Sequence, residues 1–182
     1  MKLKKISLPI VIILGIVLDQ IVKMAIVKNL RLSEQKSVIN GILSLTHLRN
    51  NGAAWSILEG QQWFFVLTTV IVLAVAIWFW LKNLSKNWYA IGLTLIISGA
   101  LGNFIDRVRQ GYVVDMFQLD FINFPIFNVA DILLSIGFVV LFIGILIEKD
   151  EGYDKLNIKI KAQSAGLRLD KAISDNSEVS RT

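Results

Sequence analysis

The sequence contains no cysteine and one histidine, and each shortage removes a class of chemistry. Without cysteine there is no disulfide, no thiolate nucleophile and no cysteine metal ligand, and the redox compartment stays undetermined. The histidine, His47, lies in a predicted strand region and belongs to no H-E-x-x-H helix, so we interpret it as structural and do not favour a zinc peptidase. A serine hydrolase is not favoured either, because the chain has no G-x-S-x-G turn and no serine beside a plausible base.

Charged residues are also scarce, at 18% of the chain against 54% hydrophobic residues, and the mean hydropathy is +0.61. Ordinary soluble domains are roughly 45–50% apolar, and a soluble fold of this size could not bury the excess. The apolar residues are concentrated in four runs at 6–27, 63–81, 88–105 and 129–147. Each run approaches the roughly 20 residues that a helix needs to cross a bilayer. The sequence therefore predicts an all-α membrane protein with four transmembrane helices.

The charges at the ends of the spans predict their orientation. Lys2, Lys4 and Lys5 precede the first span as in a secretory signal peptide, but no small-residue cleavage site follows, so we expect an uncleaved span. Four spans put both termini on one side, and these lysines place that side in the cytoplasm. Because the basic residues are scattered, we expect them to face anionic lipid headgroups and not nucleic acid. The first outer loop does not follow the orientation rule, because it carries Lys28, Arg31, Lys36 and Arg49.

Two segments outside the spans have distinct predicted structures. In the outer loop, Asn40-Gly41 lies between two short apolar runs, which is a signal for a two-residue hairpin turn. A small extracytoplasmic β element is therefore predicted at about 36–50, resting on the outer membrane surface. Residues 148–182 carry acidic and basic groups in equal number and few large apolar groups. We expect them to form a loosely ordered cytoplasmic tail, separate from a membrane domain at 1–147.

Charged and amide side chains cluster at the span ends that this topology brings to the outer face. A charge in or beside a span is costly, so each one needs a partner or a purpose. Asp19 and Lys23 are one helical turn apart and can pair with each other, which a purely structural anchor would also explain. Asp131 begins the last span and is equally compatible with a helix N-cap. The converging residues are Asn50, Asn103, Asp106, Arg107, Asp115, Asn128 and Asp131.

Two carboxylates suffice for peptide hydrolysis without a metal. Carboxylates held about 3 Å apart cannot both ionise, so one stays protonated as a general acid while the other activates a water. Asp115 and Asp131 are the pair best placed for this reaction, near the hydrocarbon boundary. Arg107 offers donors for a carbonyl or a lipid phosphate and could equally pair with Asp106, and the sequence leaves both alternatives open.

Around these residues the sequence resembles the lipoprotein signal peptidases, also called signal peptidase II. Five motifs of that family occur in order between residues 15 and 147, and together they are hard to obtain by chance. The motifs are Asp19-Gln20 with Lys23, Arg49-Asn50-Asn51-Gly52-Ala53-Ala54-Trp55, Gly102-Asn103-Phe104-Ile105-Asp106-Arg107, Val113-Val114-Asp115 and Phe127-Asn128-Val129-Ala130-Asp131. Members usually carry an aromatic residue where Met116 stands here, so we expect altered packing at that position and not lost activity.

The resemblance implies an aspartic endopeptidase of the bacterial cytoplasmic membrane with its active site at the outer face. Such an enzyme cleaves prolipoproteins immediately before the cysteine that carries diacylglycerol, uses no cofactor or metal, and is blocked by globomycin-type inhibitors. Membrane lipids are the other expected partners, and we expect a monomer. The implied catalytic pair is Asp115 and Asp131, the implied substrate-binding residues are Asn50, Gly52, Asn103, Arg107 and Asn128, and the implied supporting residues are Asp19, Lys23, Asp106 and Ala130.

Two functions of other classes compete with this interpretation. A small transporter or channel subunit could use Asp19 and Asp131 as proton or cation sites, but it would place carboxylates near the bilayer midplane and not at one edge. The sequence has no internal repeat and no pair of broken spans of the kind that transporters show. A structural membrane subunit would leave the cluster of polar groups unexplained. Peptide cleavage in detergent and ion flux in proteoliposomes distinguish these alternatives.

Overall fold

The computed structural model describes residues 2–52, 58 and 60–164, with side chains from residue 6 to residue 148. Its elements are α1 (Lys2–Asn29), β1 (Gln35–Ile39), β2 (Leu43–Asn50), α2 (Gln62–Lys82), α3 (Asn87–Gln110), β3 (Val113–Leu119) and α4 (Val129–Ser164). The described residues include four segments that are long and apolar enough to cross a membrane, at Ile6–Asn29, Gln62–Lys82, Asn87–Gln110 and Val129–Glu148. The prediction of four transmembrane helices with a small β element is confirmed.

The chain divides into two compact units, residues 1–141 and 142–182. The first unit contains the sheet and the helix ends around it. In the second unit, α4 continues as a helix to Ser164, although we expected residues 148–182 to be loosely ordered. That expectation is wrong for 148–164, where glutamate, lysine and leucine favour a helix and the only breaker is one glycine. Residues 165–182 lie outside the described part of the chain.

Helix α3 is the central helix of the first unit. Most of its length is buried, whereas α1 and α2 expose most of their apolar side chains, as helices that face lipid do. Its polar groups are satisfied internally, since Trp80 Nε1 donates to Thr94 Oγ1 at 3.0 Å and Thr94 Oγ1 donates to the Ala90 carbonyl at 2.6 Å. The apolar core around them consists of Leu73, Ala76, Trp80, Leu84, Leu93, Ile97 and Ala100.

Glycines bring the backbones of α3 and α4 into direct contact. A Cβ atom at Gly92 would lie 2.9 Å from the carbonyl oxygen of Gly137, and a Cβ atom at Gly137 would lie 2.7 Å from that of Gly92. A Cβ atom at Gly99 would collide with the backbone oxygen of Ala130. This close packing fixes the first turn of α4 against α3, and that turn carries Asp131.

We expect Gly99→Val to destabilise the protein by about 1–3 kcal/mol, because a side chain there must push two backbones apart. The measurement is the midpoint of reversible unfolding in detergent. Ala74→Val is the matched control, because Ala74 is exposed on α2 and a larger side chain there meets only lipid or detergent. The control should change stability by less than about 0.5 kcal/mol. Equal midpoints for the two variants would contradict the contact between the backbones of α3 and α4.

The sheet has three antiparallel strands in the order β1-β2-β3, so the outer β element is larger than the predicted segment at 36–50. The third strand, β3, follows α3 and pairs with β2, with Leu48 opposite Asp115 and Asn50 opposite Val113. Asp115 therefore lies on a strand between the third and fourth spans, and not in an irregular connecting loop. The strand pairs with a segment about 65 residues away in sequence, and such long-range pairing leaves little local signal.

The hairpin between β1 and β2 also differs from the expected two-residue turn. Residues 40–42 form the connection, and the Ile42 amide donates to the Ile39 carbonyl at 2.9 Å. A two-residue turn of the type that Asn-Gly favours needs positive φ at both central residues. Only Gly41 has positive φ here, at 72°, and the register shifts between Ser37 and Ile39. The result is a three-residue loop with an adjacent bulge.

Candidate active site

The candidate site lies where the C-terminal ends of α1 and α3 meet the N-terminal end of α4 and strands β2 and β3. A cavity of about 580 Å³ opens there. Its polar lining is Asn50, Asn103, Arg107, Asp115, Asn128 and Asp131, and its apolar lining is Val113, Phe124, Pro125, Ile126, Phe127, Ile132 and Ile136, with Ser135 between them. Six of the seven residues expected to converge therefore line one cavity. The seventh, Asp106, is buried in a neighbouring ion cluster.

Asp115 is held on strand β3 with only 2% of its surface exposed. Its Oδ2 accepts a hydrogen bond from Asn50 Nδ2 at 2.9 Å, and its Oδ1 accepts one from Asn128 Nδ2 at 2.6 Å. Asn50 ends β2, which explains how a residue distant in sequence reaches this carboxylate. The Asn50 side chain is itself fixed, because its Oδ1 accepts from the Gly52 amide at 2.9 Å.

Asp131 and Asn128 together cap the start of α4. The Asp131 amide donates to Asn128 Oδ1 at 2.9 Å, and the Asn128 amide donates to Asp131 Oδ2 at 3.1 Å. This reciprocal pair is a capping box in which Asn128 is the N-cap residue and Asp131 lies three residues later. The interpretation of Asp131 as the N-cap residue is therefore wrong. The cap leaves Asp131 Oδ1 available to the cavity, where Asn103 Nδ2 donates to it at 2.8 Å.

Two amides connect the carboxylates of Asp115 and Asp131. Asn128 Nδ2 donates both to Asp115 Oδ1 and to Asn103 Oδ1, the latter at 3.1 Å. Asn103 in turn donates to Asp131, so a continuous chain of hydrogen bonds runs from one carboxylate to the other. Both acidic groups line the same cavity, so one bound substrate could meet both carboxyl groups.

The environment raises the pKa of Asp115 to about 7. The larger cause is burial, which penalises the charged form, and the second cause is the negative charge of Asp131. Hydrogen bonds from Asn50 and Asn128 and the positive charge of Lys23 oppose this rise without cancelling it. A carboxyl group with such a pKa carries a proton through much of the neutral range and can act as an acid.

A buried ion cluster supports the site from the side of α1. Lys23 Nζ lies 2.9 Å from Asp19 Oδ2 and 3.0 Å from Asp106 Oδ2, so the expected pairing of Asp19 with Lys23 is confirmed. Lys23 Nζ also donates to Asn103 Oδ1 at 2.9 Å. Asp19 Oδ1 accepts from the Ala130 amide at 3.0 Å, an acceptor placed at the positive end of the α4 dipole. The cluster thus anchors both Asn103 and the start of α4.

Arg107 does not pair with Asp106, so that alternative is wrong. Asp106 binds Lys23 and also accepts from Gln20 Nε2 at 2.9 Å. Arg107 points into the cavity, where its Nη2 lies 3.4 Å from the Gly52 carbonyl oxygen. Its guanidinium lies over the ring of Phe65 on α2, a contact for which the sequence contains no local signal.

The other residues named from the sequence lie outside the cavity lining or outside the described part of the chain. His47 is buried and its Nδ1 lies 3.0 Å from the Leu30 carbonyl oxygen, in keeping with a structural residue. Met116 is fully buried and packs in an apolar cluster with Ile26 and Leu30 on the far side of β3 from the cavity lining. Three residues of the second motif, Ala53, Ala54 and Trp55, lie outside the described residues. The apolar cavity lining has no signal in the sequence, because residues 124–127 precede α4, Ile132 and Ile136 lie on it, and only the fold brings both groups to one cavity.

Comparisons with known proteins show the family of this chain. The family model for signal peptidase (SPase) II matches residues 11–147. The lipoprotein signal peptidase of Lactococcus lactis subsp. lactis (strain IL1403) is 61% identical over 148 residues, which cover 81% of this chain and 99% of the relative. That of Streptococcus agalactiae serotype V (strain ATCC BAA-611 / 2603 V/R) is 55% identical over 151 residues, or 82% and 98% of the two chains. A solved bacterial membrane enzyme superposes with a TM-score of 0.75 at 35% identity, covering 80% of this chain and 90% of its own. The chain therefore belongs to the lipoprotein signal peptidases, the signal peptidase II family of aspartic peptidases.

Proposed function

We propose that this lipoprotein signal peptidase cleaves prolipoproteins immediately before the diacylglyceryl-modified cysteine, with Asp115 and Asp131 as its catalytic pair. The single observation that carries the proposal is that these two carboxylates face one cavity and are joined through Asn103 and Asn128. Asp115 lies on strand β3 and Asp131 lies in the first turn of α4, so neither carboxylate is at mid-span, which disfavours an ion pathway.

The chemistry that we propose needs one protonated and one ionised carboxyl group. Asp131, as the carboxylate, takes a proton from a water molecule whose oxygen attacks the scissile carbonyl carbon. Asp115, in its protonated form, donates its proton to the carbonyl oxygen, giving a tetrahedral diol. The proton held by Asp131 then passes to the leaving nitrogen as the C–N bond breaks, and Asp115 recovers its proton from the diol. The pKa of Asp115, raised to about 7 by burial and by Asp131, supports this division of roles.

The other cavity residues are proposed to bind substrate. Arg107 and Asn50 present donors toward the cavity, suited to the carbonyl groups of an extended peptide. The side-chain N–H groups of Asn128 already bind Asp115 and Asn103, so Asn128 is proposed to act on the substrate by orienting the Asp115 carboxyl group. Gly52 contributes its backbone carbonyl beside Arg107. The apolar residues Ile132 and Ile136, on the first turns of α4, give the lipid-modified cysteine an apolar wall. Asp19, Lys23, Asp106 and Ala130 are proposed to hold this arrangement without touching substrate.

We further propose that the site opens at the outer face of the bacterial cytoplasmic membrane, with both termini cytoplasmic and with residues 1–147 as the peptidase domain. The acyl chains of the substrate must remain in lipid while the peptide bond meets water, so the catalytic pair has to lie near the hydrocarbon boundary. We also propose that the protein acts as a monomer and that globomycin-type cyclic peptides occupy the same cavity, because they compete for the donors that bind the substrate backbone.

The proposed function is tested with two peptides that share one lipoprotein cleavage sequence, one diacylated on its cysteine and one not. We expect the detergent-solubilised protein to cleave only the acylated peptide, because the apolar wall binds the acyl chains and positions the scissile bond. Mass spectrometry of the products locates the cut. Equal cleavage of the two peptides, or a cut elsewhere, would contradict the proposed substrate class. Ion flux in proteoliposomes without any cleavage would support a transporter instead.

The pH dependence of cleavage follows from the pKa of Asp115. Because that pKa is raised to about 7, the protonated acid is lost as the pH rises through 7, and cleavage should decline on that side. At acidic pH both carboxyl groups become protonated and the base is lost, so the profile should be bell-shaped. The measurement is the rate of cleavage of the acylated peptide at saturating and at low concentration from pH 4 to 10. A rate that stays constant from pH 6 to 9 would argue against Asp115 as the acid.

A further inference from the structure

Arg107 is held at the edge of the cavity by an aromatic ring from a different helix. Its Cζ atom lies 4.9 Å from the centroid of the Phe65 ring, within the roughly 6 Å over which a guanidinium is attracted to a ring face. Phe65 is in the first turns of α2, whereas Arg107 is in the last turn of α3. Phe65 belongs to none of the family motifs in the sequence, and its side chain is half-buried.

The bonds that Arg107 does not make are as informative as the ring contact. It lines the same cavity as Asp115 and Asp131. An arginine that shares a cavity with two carboxylates would ordinarily form short, charge-assisted bonds to them. Yet Arg107 forms no ion pair with Asp115 or Asp131 within 4 Å, and among the described residues its buried Nε has no hydrogen-bond partner. Within the part of the chain that the structure describes, the polar contact of its guanidinium is the 3.4 Å approach of Nη2 to the Gly52 carbonyl oxygen.

We propose that Phe65 is a positioning residue, whose ring holds the Arg107 guanidinium away from the catalytic carboxylates and presents its free N–H donors to the peptide backbone of the substrate. The inference rests on the proposed function of the cavity and extends it to a residue on α2. The stacked guanidinium keeps its edge N–H groups free, because only its face meets the ring. An unpartnered Nε in the cavity lining is a donor left for a ligand.

The charges around Asp115 and Asp131 explain why the position of Arg107 affects their ionisation. The cations near Asp115 and Asp131 are Lys23 and Arg107, and the other anions nearby are Asp19 and Asp106. Lys23 cannot move toward the pair, since Asp19, Asp106 and Asn103 already hold its ammonium. Arg107 is therefore the cation whose approach could ionise the acid prematurely.

The first test is Phe65→Leu, which keeps an apolar side chain on a lipid-facing helix and removes the ring. We expect KM for the acylated peptide to rise about 5- to 30-fold. Without the ring the guanidinium is no longer held in its binding position, and substrate binding must then order it. We also expect the high-pH side of the cleavage profile to move to lower pH, because Arg107 can then approach Asp115 and favour its ionised form. Phe65→Tyr should keep the native KM and the native pH profile, since a tyrosine ring also binds a cation.

A double-mutant cycle separates positioning from a merely structural role. In an Arg107→Gln background, Phe65→Leu should change KM by less than twofold and should not move the pH profile. Leu67→Ala is the control, because Leu67 is an exposed apolar residue on the same helix and has no contact with the Arg107 guanidinium among the described residues. Phe65→Met is the second variant if Phe65→Leu fails to fold.

Three results of these experiments would overturn the role of Phe65. The proposal is overturned if Phe65→Leu leaves KM and the pH profile unchanged, or if it costs as much in the Arg107→Gln background as in the native protein. Equal effects of Leu67→Ala and Phe65→Leu would overturn it too, because they would point to general packing of α2. These results leave the proposed catalytic pair untouched. That pair fails only if substitution of Asp115 and Asp131 leaves cleavage intact.

Discussion

We expect Asp115→Asn and Asp131→Asn each to reduce cleavage of a diacylated prolipoprotein peptide by about 1000-fold or more, while the protein still inserts and folds. An asparagine has nearly the same shape but can neither give nor take the required proton, and general acid–base catalysis contributes about 10²–10⁴-fold. The two carboxyl groups act as a unit, so the double variant should be little worse than either single variant. The measurement is product formation by purified protein in detergent.

The control for this prediction is Asp120→Asn. Asp120 follows β3, is exposed, and accepts a hydrogen bond from Ser44 Oγ at 2.7 Å away from the cavity lining. Its substitution removes one negative charge near the sheet and should leave the cleavage rate within about twofold, as for surface changes in general. Cleavage retained by the Asp115→Asn/Asp131→Asn double variant would reject the proposed catalytic pair. Equal losses in the Asp120 variant would show that the effect is one of overall charge.

Lys23→Met is expected to have the largest effect on stability. Asp19 and Asp106 are both buried, and Lys23 is the cation within 4 Å that neutralises them. Removing one partner of a buried ion pair costs about 3–5 kcal/mol, because the remaining charge keeps its desolvation penalty. The variant should also lose cleavage activity, since Lys23 holds Asn103, which donates to Asp131. Thermal unfolding in detergent and a cleavage assay on the same samples measure both effects.

Lys36→Met serves as the matched control, because Lys36 is exposed on β1 and belongs to no ion pair among the described residues. We expect its unfolding midpoint to stay within about 0.5 kcal/mol of the native value. A Lys23→Met protein that unfolds at the native midpoint would contradict the ion cluster as a source of stability. Normal stability combined with lost cleavage would mean that Lys23 acts only through Asn103.

The local sequence was sufficient for the membrane spans and for the residues that gather at one end of them. The runs at 63–81 and 88–105 contain no charge, and a bilayer admits few structures other than helices for such runs. The alternation of four spans then brings the last turn of the third span and the first turn of the fourth to one face. Asn103, Arg107, Asn128 and Asp131 follow from that topology with no knowledge of side-chain contacts.

The sequence could not predict the strand that carries Asp115 or the partners of the charges. Strand β3 exists because it pairs with β2, and that pairing depends on where α3 ends in space. Arg107 and Asp106 are adjacent in the chain, yet successive residues of a helix point about 100° apart, so one enters the cavity and the other meets Lys23. The rotation of α3 against α1 and α4 determines which of these two side chains enters the cavity.

The sequence by itself determined that this chain crosses a membrane four times, that it belongs with the lipoprotein signal peptidases, and which polar residues gather at one face. The length of the hydrophobic segments and the local sequence motifs determine those properties, and both can be identified from consecutive residues. Only the tertiary structure decided that Asn128 and Asn103 join the two aspartates, that Lys23 neutralises Asp19 and Asp106, and that Phe65 lies under Arg107. These contacts join residues on different elements, and no local pattern records the rotation of one helix against another.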